Sequence, residues 1–228
     1  MSRATVLIVD DHDLIGLSLQ VLLRSHGVET ARCGVDEKSV LQTAYERDPG
    51  LALVDLDLGP RPDGERYRGA ELIPGLRNAG WPVLVFTGTA DGHRAALSDA
   101  IAAGALGWLS KSLPAQEVVH EILAAMNGKT MMSADERYEL MEERRGAQLR
   151  DHATRELLDR LTAREQLVLD RLIAGRRASA IAREFSVSMS TVRTQIHAIL
   201  AKLNVRSQLE AVALVRALRT NHRDGRRP

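Results

Sequence analysis

The chain has little cysteine and no long apolar run, and both shortages limit what it can be. Its 228 residues include one cysteine, Cys33, which excludes an internal disulfide and predicts a small core side chain rather than a redox centre. The apolar stretches are only a few residues long, whereas a membrane-spanning helix needs about 20 residues. The first predicted strand begins near residue 5, which leaves no room for a signal peptide. We therefore expect a cytoplasmic protein with no membrane partner.

Charge is distributed unevenly along the sequence. Residues 1–126 carry 11 Lys and Arg against 17 Asp and Glu, and residues 127–160 carry 7 against 8. Residues 161–228 carry 13 against 5, although the whole chain has a net charge of only +1. The length allows two ordinary domains. An acidic first part and a basic last part predict two domains with different partners, of which the basic one binds a polyanion.

The first 127 residues alternate between strand-like and helix-like segments. The predicted strands are 5–9, 28–33, 51–55, 82–87 and 105–109, and the predicted helices are 13–26, 36–47, 69–79, 91–103 and 114–127. Gly27, Gly80 and Gly104 stand where helices end, as C-terminal caps. This alternation predicts a parallel sheet covered on both faces. Residues 1–127 therefore fit an α/β, flavodoxin-like domain with five parallel strands in the order 2-1-3-4-5.

Polar side chains follow four of the predicted strands. Asp10 and Asp11 follow the first strand, and the third ends at Asp55. The strand order makes these two strand ends neighbours at the ligand-binding crevice of the sheet. Carboxylates this close are unfavourable unless a cation or a lysine lies among them, and we predict a divalent metal site here. Thr87 ends the fourth strand and Lys111 follows the fifth, so a hydroxyl and an ammonium group are expected at the same crevice.

With these five residues in this order on the strand ends, residues 4–127 resemble the receiver domain of bacterial response regulators. The resemblance implies that Asp55 accepts a phosphoryl group from the phosphohistidine of a sensor histidine kinase. It also implies a Mg²⁺ site made by the Asp11 and Asp55 carboxylates and the Asp57 backbone carbonyl, with Asp10 acting through water. Such a ligand set suits Mg²⁺, which keeps several waters and uses few carboxylates.

The resemblance assigns further roles near the acceptor. Lys111 and the metal would neutralise charge on the phosphoryl oxygens, and Thr87 would hydrogen-bond one of them. Trp108 stands at the position of the family's switch aromatic, although an aromatic residue at a strand end is also a common core residue. The added charge would then bias a loop and a helix face between two states.

The segment after the acceptor departs from the family pattern. Gly59 stands where the family usually has proline, and residues 59–69 form a stretch about six residues longer than usual that carries three arginines. These arginines would tune kinase recognition or the lifetime of the phosphoaspartate, or would simply lie in a solvated loop. The solvated loop is the preferred interpretation. Ser112 follows Lys111 where many receiver domains have proline.

Residues 128–160 are rich in Arg and Glu and contain no strand signal. We predict a helical linker of one or two helices, broken at Gly146, whose apolar stripe packs on a neighbouring domain. The stripe comprises Leu140, Met141, Leu149, Leu157 and Leu158. A dimerising coiled coil is disfavoured, because no heptad pattern persists over three or four repeats. Residues 220–228 are polar and basic and are predicted to form a disordered tail.

Residues 161–219 show only helical periodicity, in four short segments separated by turns. Many of their residues follow one family pattern: Leu161–Glu165, Val168, Leu169, Gly175, Ile181, Ala182, Val187, Ser188, Thr191, Val192, Ile196, Leu200, Lys202, Leu203, Ala211 and Val212. On these residues the segment resembles the LuxR-type helix-turn-helix domain of the NarL/FixJ response regulators. The resemblance implies an all-α, four-helix domain that binds DNA as a homodimer on paired half-sites.

Local sequence signals agree with this organisation. Thr162 and Glu165 fit a capping box at the start of the first helix, and Ser188 is expected to cap a recognition helix at about 189–203. The predicted DNA contacts are Ser190 and Thr191 at its N-terminus, Arg193, Thr194 and His197 towards the bases, and Lys202 and Arg206 towards phosphates. For His197 an ordinary surface position is equally open. Gln195 stands where the family often has histidine.

Three functions remain open from the sequence. The preferred one is a DNA-binding transcriptional regulator, not an enzyme, that is switched by Mg²⁺-dependent phosphoryl transfer to Asp55. A second is a regulator of the same architecture that binds DNA without phosphorylation. A third is a phosphatase, because Asp55 and Asp57 match the Asp-x-Asp motif of the haloacid dehalogenase type. That family has Thr or Val at the position of Gly59 and carries the motif on its first strand, which argues against it.

Overall fold

The computed structural model describes residues 5–88 and 90–223 and, within them, all side chains except those of 90–93 and 219–223. The chain divides into two units, residues 1–144 and residues 145–228. Among the described residues, no helix combines the length and the apolar character that crossing a lipid bilayer requires.

A five-stranded parallel sheet forms the centre of the first unit. Its strands are β1 (Thr5–Val9), β2 (Glu29–Arg32), β3 (Leu51–Val54), β6 (Val83–Thr87) and β7 (Trp108–Ser110). They are ordered β2-β1-β3-β6-β7, and each neighbouring pair is parallel. Two further strands, β4 (Asp57–Pro60) and β5 (Arg66–Arg68), lie outside this sheet and come between β3 and β6 in the chain. The predicted order 2-1-3-4-5 and the flavodoxin-like fold class are therefore confirmed.

Five helices cover the two faces of the sheet. They are α1 (Asp13–Ser25), α2 (Glu37–Tyr45), α3 (Gly69–Asn78), α4 (Ala90–Ala102) and α5 (Ala115–Met126). Alternate residues of β1 point to opposite faces, so Leu7 and Val9 pack in one core and Val6 and Ile8 in the other. Helices α2, α3 and α4 contribute to the first core, whereas α1 and α5 contribute to the second.

The last strand begins three residues later than the predicted 105–109. The Ala105 N–H donates to the Ala100 carbonyl at 3.0 Å, so this residue closes the end of α4 instead of extending a strand. Leu106 then donates to the Val83 carbonyl at 2.8 Å, and regular pairing with β6 starts only at Trp108. The sequence of a short apolar run does not show which of its residues complete the preceding helix and which belong to the strand.

An antiparallel hairpin, β4 (Asp57–Pro60) and β5 (Arg66–Arg68), follows the acceptor strand β3. Its turn includes Gly64, with φ of +83°. Leu58 is 1% exposed, and Tyr67 is half-buried against the same core. The segment is therefore a strand pair rather than the predicted loop, although Pro60 and residues 62–66 are exposed to solvent as predicted. The sequence signal was weak because the two anchoring side chains stand alone among charged residues and turn formers.

The linker is one continuous helix, α6 (Ala134–Asp159). The predicted break at Gly146 does not occur, because a single glycine costs a helix only about 1 kcal/mol. Two ion pairs join the first half of α6 to α4. The Arg144 Nε donates to Asp99 Oδ1 at 2.7 Å, and Arg94 makes two hydrogen bonds of 2.6 and 2.7 Å to Glu143.

The predicted apolar stripe of the linker does not form one buried face. Leu140 is 2% exposed and belongs to a core of the first unit. Leu157 and Leu158 pack instead against the core of the second unit. Met141 and Leu149 are exposed at 40% and 62%. The prediction of a single stripe was wrong because side chains at the two ends of the helix pack in different hydrophobic cores.

The second unit contains four helices after α6: α7 (Ala163–Ile173), α8 (Ala178–Glu184), α9 (Met189–Lys202) and α10 (Gln208–Arg223). The predicted capping box is present, since Thr162 and Glu165 each accept a backbone N–H of the other. Because α10 extends to Arg223, the predicted disorder is wrong for residues 220–223. The rest of the predicted tail, 224–228, lies outside the described residues.

Candidate functional site

The carboxyl ends of three strands bring two aspartates and a lysine together. Asp10 follows β1, Asp55 follows β3 and Lys111 follows β7. The Lys111 Nζ lies 2.6 Å from Asp10 Oδ2 and donates a hydrogen bond of 2.6 Å to Asp55 Oδ2. The side chains of Asp10, Asp55 and Lys111 are 2%, 6% and 11% exposed. The structure therefore joins three of the predicted site residues in one largely buried cluster.

Asp11 and His12 lie on the more exposed side of this cluster. One possible ligand atom from each of Asp10, Asp11, His12 and Asp55 lies within 4.8 Å of the others. The His12 Nδ1 is 2.8 Å from Asp11 Oδ1, and the His12 backbone N–H donates to Asp10 Oδ1 at 2.8 Å. The sequence favours His12 as a residue at the start of a helix rather than a ligand, and the structure places it directly before α1.

Burial and charge have opposing effects on the two central groups. Burial raises the pKa of the Asp55 carboxyl above its ordinary value, and the hydrogen bond and charge of Lys111 offset this only in part. For the Lys111 ammonium, burial lowers the pKa, but the hydrogen bonds to Asp10 and Asp55 outweigh it and hold the pKa above its ordinary value. Lys111 is therefore charged at neutral pH. Ionised Asp55 carries an unfavourable desolvation that a second cation would relieve.

The donor atoms of the cluster fit a hard divalent cation. Asp10, Asp11 and Asp55 bring three carboxylates together around one ammonium group, which leaves an excess of negative charge. Carboxylates, backbone carbonyls and water are the ligands that Mg²⁺ takes in proteins. The Asp11 side chain is 29% exposed, so water has access to the cluster, as a partly hydrated ion requires.

Thr87 is the last residue of β6, and Trp108 is the first residue of β7. Thr87 is 1% exposed, and its carbonyl accepts the Lys111 N–H at 2.7 Å, which ties the two strand ends together. Trp108 is half-buried against the core, and its Nε1–H donates to Glu136 Oε1 at 3.2 Å. Trp108 is thus more than a core residue, because its polar edge contacts the first turn of α6. The phosphoryl-binding and switch roles of these residues stay predictions.

The Asp57 carboxylate, at the start of β4, forms an ion pair with Arg66 of β5. The Arg66 Nε and Nη2 donate to its two oxygens at 2.8 and 2.7 Å. The Asp57 backbone N–H lies 3.4 Å from Asp55 Oδ1, so the backbone of Asp57 is beside the acceptor. The predicted metal contact of Asp57 is its backbone carbonyl, and this contact stays a prediction. Sequence reasoning missed Arg66, because only the hairpin register brings it to Asp57.

In the second unit, a cluster of hydroxyl groups opens α9. The Ser188 Oγ accepts the Thr191 N–H at 3.1 Å and lies 2.7 Å from Ser190 Oγ and 2.8 Å from Thr191 Oγ1. Ser190 and Thr191 are exposed in the first helical turn. Free amide groups and hydroxyls at the start of a helix are suited to phosphate oxygens.

The rest of α9 separates an apolar side from a polar one. Its buried residues are Val192, Ile196 and Ile199, whereas the predicted base contacts Arg193, Thr194 and His197 are all exposed. Arg206, just beyond the helix, is also exposed. The exposed side of the helix therefore offers the side chains that the sequence pattern assigned to DNA.

Lys202 has an additional partner that the sequence did not predict. Its Nζ lies 2.6 Å from Glu165 Oε2, the same oxygen that accepts the Thr162 backbone N–H at 2.7 Å. These contacts, led by the Lys202 hydrogen bond, lower the pKa of Glu165. Lys202 thus links the C-terminal end of α9 to the start of α7, and its contact with DNA phosphates stays a prediction.

Comparison with known proteins identifies both units. The response regulator receiver domain family matches residues 6–123, which is more than half of the chain. The luxR family of bacterial regulatory proteins matches residues 159–215. The two matches fall on the α/β unit that holds the acidic cluster and on the helices α7 to α10.

Several known proteins are similar to this chain along nearly their whole length. The transcriptional regulatory protein DesR of Bacillus subtilis is 28% identical over 203 residues, 89% of this chain and 91% of DesR. BvgA, a transcription regulator of Bordetella pertussis, is 30% identical over 213 residues, 92% of this chain and 96% of BvgA. The RcsB response regulator of Salmonella typhimurium, at 19% identity and a TM-score of 0.52 over 94% of this chain and 100% of RcsB, has a similar fold. The chain therefore belongs to the bacterial response regulators in which a receiver domain is joined to a LuxR-type DNA-binding domain.

Proposed function

We propose that the DNA binding of this response regulator is switched by phosphorylation of Asp55. The observation that carries the proposal is the Lys111 ammonium, 2.6 Å from both Asp10 Oδ2 and Asp55 Oδ2, with the Asp11 carboxylate in the same cluster. This arrangement supplies a nucleophilic carboxylate, a fixed cation and an oxygen-rich cation site. Phosphoryl transfer needs these parts, because its catalysis is mainly positioning and charge stabilisation.

In the proposed reaction, a carboxylate oxygen of Asp55 attacks the phosphorus of a phosphohistidine on a sensor histidine kinase. The P–N bond breaks as the P–O bond forms, the histidine nitrogen keeps the bonding electrons, and Asp55 becomes an aspartyl phosphate. The Lys111 Nζ, already hydrogen-bonded to Asp55, then donates to a phosphoryl oxygen. The hydroxyl of Thr87, at the end of β6, donates to another.

The residues that would hold Mg²⁺ are the Asp11 and Asp55 carboxylates and the Asp57 backbone carbonyl, with Asp10 acting through water. Bound Mg²⁺ would neutralise charge that develops on the phosphoryl oxygens. The raised pKa of Asp55 supports this assignment, because burial penalises its ionised form and a cation would stabilise it.

The proposed output is sequence-specific DNA binding by the second unit. Arg193, Thr194 and His197 would contact base edges from the exposed side of α9, whereas Ser190, Thr191, Lys202 and Arg206 would contact phosphates. The 13 Lys and Arg against 5 Asp and Glu in residues 161–228 support a polyanionic partner. We propose that the active form is a homodimer on two half-sites, that it works in the cytoplasm, and that it is not an enzyme.

The two alternative functions have less support. A phosphatase of the Asp-x-Asp type needs Asp57 as a free acid, whereas both oxygens of Asp57 accept hydrogen bonds from Arg66. A regulator that ignores phosphorylation would leave the buried Lys111–Asp55 pair and its excess of carboxylates without a role. Burying uncompensated charge is costly, so a site of this kind is best explained by a ligand that completes it.

The proposal is tested by incubating the full-length protein with acetyl phosphate and Mg²⁺ and measuring its intact mass. We expect one added phosphoryl group on the wild-type protein and none on Asp55→Asn or after chelation of Mg²⁺. Asp63→Asn, a change at an exposed aspartate in the nearby hairpin, is the matched control and is expected to be labelled normally. Labelling that persists in Asp55→Asn would contradict the assignment of the acceptor.

A further inference from the structure

The β4–β5 hairpin makes two contacts at the edge of the acidic cluster. On β4, the Cα of Gly59 lies against the Asp11 carboxylate. At the start of the same strand, Asp57 is held by Arg66 of β5. The proposed reaction uses Asp11 and Asp57 but gives no role to Gly59 or Arg66.

We propose that Gly59 and Arg66 are positioning residues of the cation site, through which the hairpin fixes the Asp11 carboxylate and the Asp57 backbone. The proposal rests on the proposed function, because it concerns the Mg²⁺ site beside Asp55. It gives the long segment after the acceptor a defined role: the hairpin is one wall of the site.

The contact between Gly59 and Asp11 depends on the absence of a side chain. A Cβ at position 59 would lie 2.8 Å from Asp11 Oδ2, a distance that real Cβ atoms essentially never show. Gly59 also has φ of +80°, a conformation that favours glycine. The other oxygen of Asp11 lies 2.8 Å from His12 Nδ1. One oxygen thus faces the imidazole and the other faces the hairpin, so a side chain at position 59 would have to move the carboxylate.

Arg66 acts on the residue two positions after the acceptor. Its guanidinium binds both Asp57 oxygens, and a planar bidentate pair restrains the orientation of the carboxylate as well as its position. The same carboxylate accepts the Gly59 N–H at 3.3 Å, which couples the Asp57 side chain to the backbone that follows it. Restraining the side chain therefore also restrains the backbone that carries the Asp57 carbonyl, the proposed cation contact.

The hairpin is built firmly enough to act as a wall. Leu58, between Asp57 and Gly59, is 1% exposed in the core. On β5, Tyr67 packs against the same core. Core anchors on both strands hold the hairpin in place beside the cluster.

The two contacts are expected to differ in strength. The Arg66 and Asp57 side chains are 57% and 43% exposed, and exposed ion pairs contribute little free energy. We therefore expect Arg66→Ala to weaken Mg²⁺ binding by roughly two- to fivefold. A side chain at position 59 displaces a proposed ligand directly, so Gly59→Ala is expected to weaken Mg²⁺ binding by about tenfold or more.

The sharpest experiment compares two glycines of the same hairpin by calorimetric titration of the full-length protein with MgCl₂. Gly64 has φ of +83°, close to that of Gly59, but a Cβ there would meet nothing within 4 Å. Alanine therefore introduces similar backbone strain at both positions and is expected to reduce stability to urea by similar amounts. Only Gly59→Ala is expected to lose Mg²⁺ affinity.

A second comparison does not depend on backbone strain. Arg66→Ala is compared with Arg61→Ala, which removes an arginine of the same hairpin that stacks on Tyr67. We expect only Arg66→Ala to weaken Mg²⁺ binding. Arg66→Lys should restore part of the affinity, because lysine keeps the charge but not the two-pronged geometry.

The proposal is overturned if Gly59→Ala binds Mg²⁺ as tightly as Gly64→Ala, or if Arg66→Ala and Arg61→Ala have equal affinities. Labelling by acetyl phosphate separates this outcome from the fate of the proposed function. If the wild-type protein is labelled at Asp55 but the variants have equal affinities for Mg²⁺, only the role of the hairpin is contradicted. If the wild-type protein is never labelled but the variants show the expected differences in Mg²⁺ affinity, only the proposed phosphorylation switch is contradicted. No Mg²⁺ binding by the wild-type protein would overturn both.

Discussion

The indole Nε1–H of Trp108 donates a hydrogen bond of 3.2 Å to Oε1 of Glu136. Trp108 begins β7, the strand that leads into Lys111, and Glu136 lies in the first turn of α6. The next residue of α6, Arg137, donates from its guanidinium to the Leu106 carbonyl at 2.9 Å. The strand that positions the proposed phosphoryl-binding lysine is therefore in direct contact with the linker helix.

This contact predicts a fluorescence signal. Removing the acceptor in Glu136→Ala should shift the emission of Trp108 in the unphosphorylated protein, because the indole loses its hydrogen-bond partner. Glu139→Ala, at an exposed position on the same helix, should leave the spectrum unchanged. The other tryptophan, Trp81, is fully buried and donates to the Ala44 carbonyl, so it gives a constant background. Identical spectra for Glu136→Ala and the wild-type protein would show that the contact does not persist in solution.

The raised pKa of Asp55 predicts a stability change that depends on pH. Because burial makes the folded protein hold this proton more tightly than the unfolded chain does, ionisation of Asp55 costs stability as the pH rises through its folded-state pKa. Asp55→Asn is neutral at every pH. Without divalent cations it should therefore be more stable than the wild-type protein at pH 7, and the difference should shrink as the pH falls towards about 4, the ordinary range for aspartate.

Urea unfolding followed by tryptophan fluorescence measures this effect in the first unit alone, because Trp81 and Trp108 both lie there. Added Mg²⁺ should stabilise the wild-type protein more than Asp55→Asn. Asp63→Asn, in the exposed hairpin turn, serves as the control for the loss of a carboxylate. A variant Asp55→Asn that is less stable than the wild-type protein at pH 7 would argue that Lys111 outweighs the cost of burial.

The capping box at the start of α7 predicts a local stability loss. Thr162→Ala removes the oxygen that accepts the Glu165 N–H, and loss of such a cap costs about 1 kcal/mol. Thr154→Ala is the matched control, because Thr154 lies inside α6 and its hydroxyl donates to the Arg150 carbonyl one turn earlier. Alanine there should be neutral or slightly stabilising. Thermal unfolding of the helices by circular dichroism distinguishes the two, and equal midpoints would refute the capping role.

The exposed side of α9 predicts two kinds of DNA-binding defect. Arg193→Ala should weaken binding to a preferred DNA site by about 1–3 kcal/mol while hardly changing binding to random DNA. Arg206→Ala should weaken both to a similar extent and should lower the salt dependence of binding. Arg150→Ala, at an exposed position on α6, is the control for loss of positive charge. Fluorescence anisotropy at several salt concentrations measures these effects, and an equal loss on both DNAs for Arg193→Ala would exclude base recognition.

The strand order and the central cluster could be predicted because both follow from local patterns. Short apolar runs that end in Asp10, Asp55 and Thr87 are strand signals, and the alternation with helices restricts their order. Once the order is known, the strand ends that share a crevice are known as well. The caps at Thr162 and Ser188 could be predicted for the same reason, since a cap needs only residues within one helical turn.

The features that were missed depend on contacts between distant residues. Arg66 reaches Asp57 only through the hairpin register, and the hairpin itself is held by Leu58 and Tyr67, whose partners lie elsewhere in the core. Lys202 meets Glu165 across two helices. Such pairs have no fixed spacing along the chain, so no periodicity in the sequence marks them.

The central claim is that phosphorylation of Asp55 controls DNA binding, and a single titration tests it most directly. The affinity of the full-length protein for a DNA site selected from a random pool is measured at one salt concentration, with and without acetyl phosphate and Mg²⁺. We predict that the wild-type protein binds at least about fivefold more tightly after phosphorylation, the lower end of typical coupling between two sites, and that Asp55→Asn does not respond. A wild-type affinity that stays unchanged, or an equal gain in Asp55→Asn, would contradict the claim.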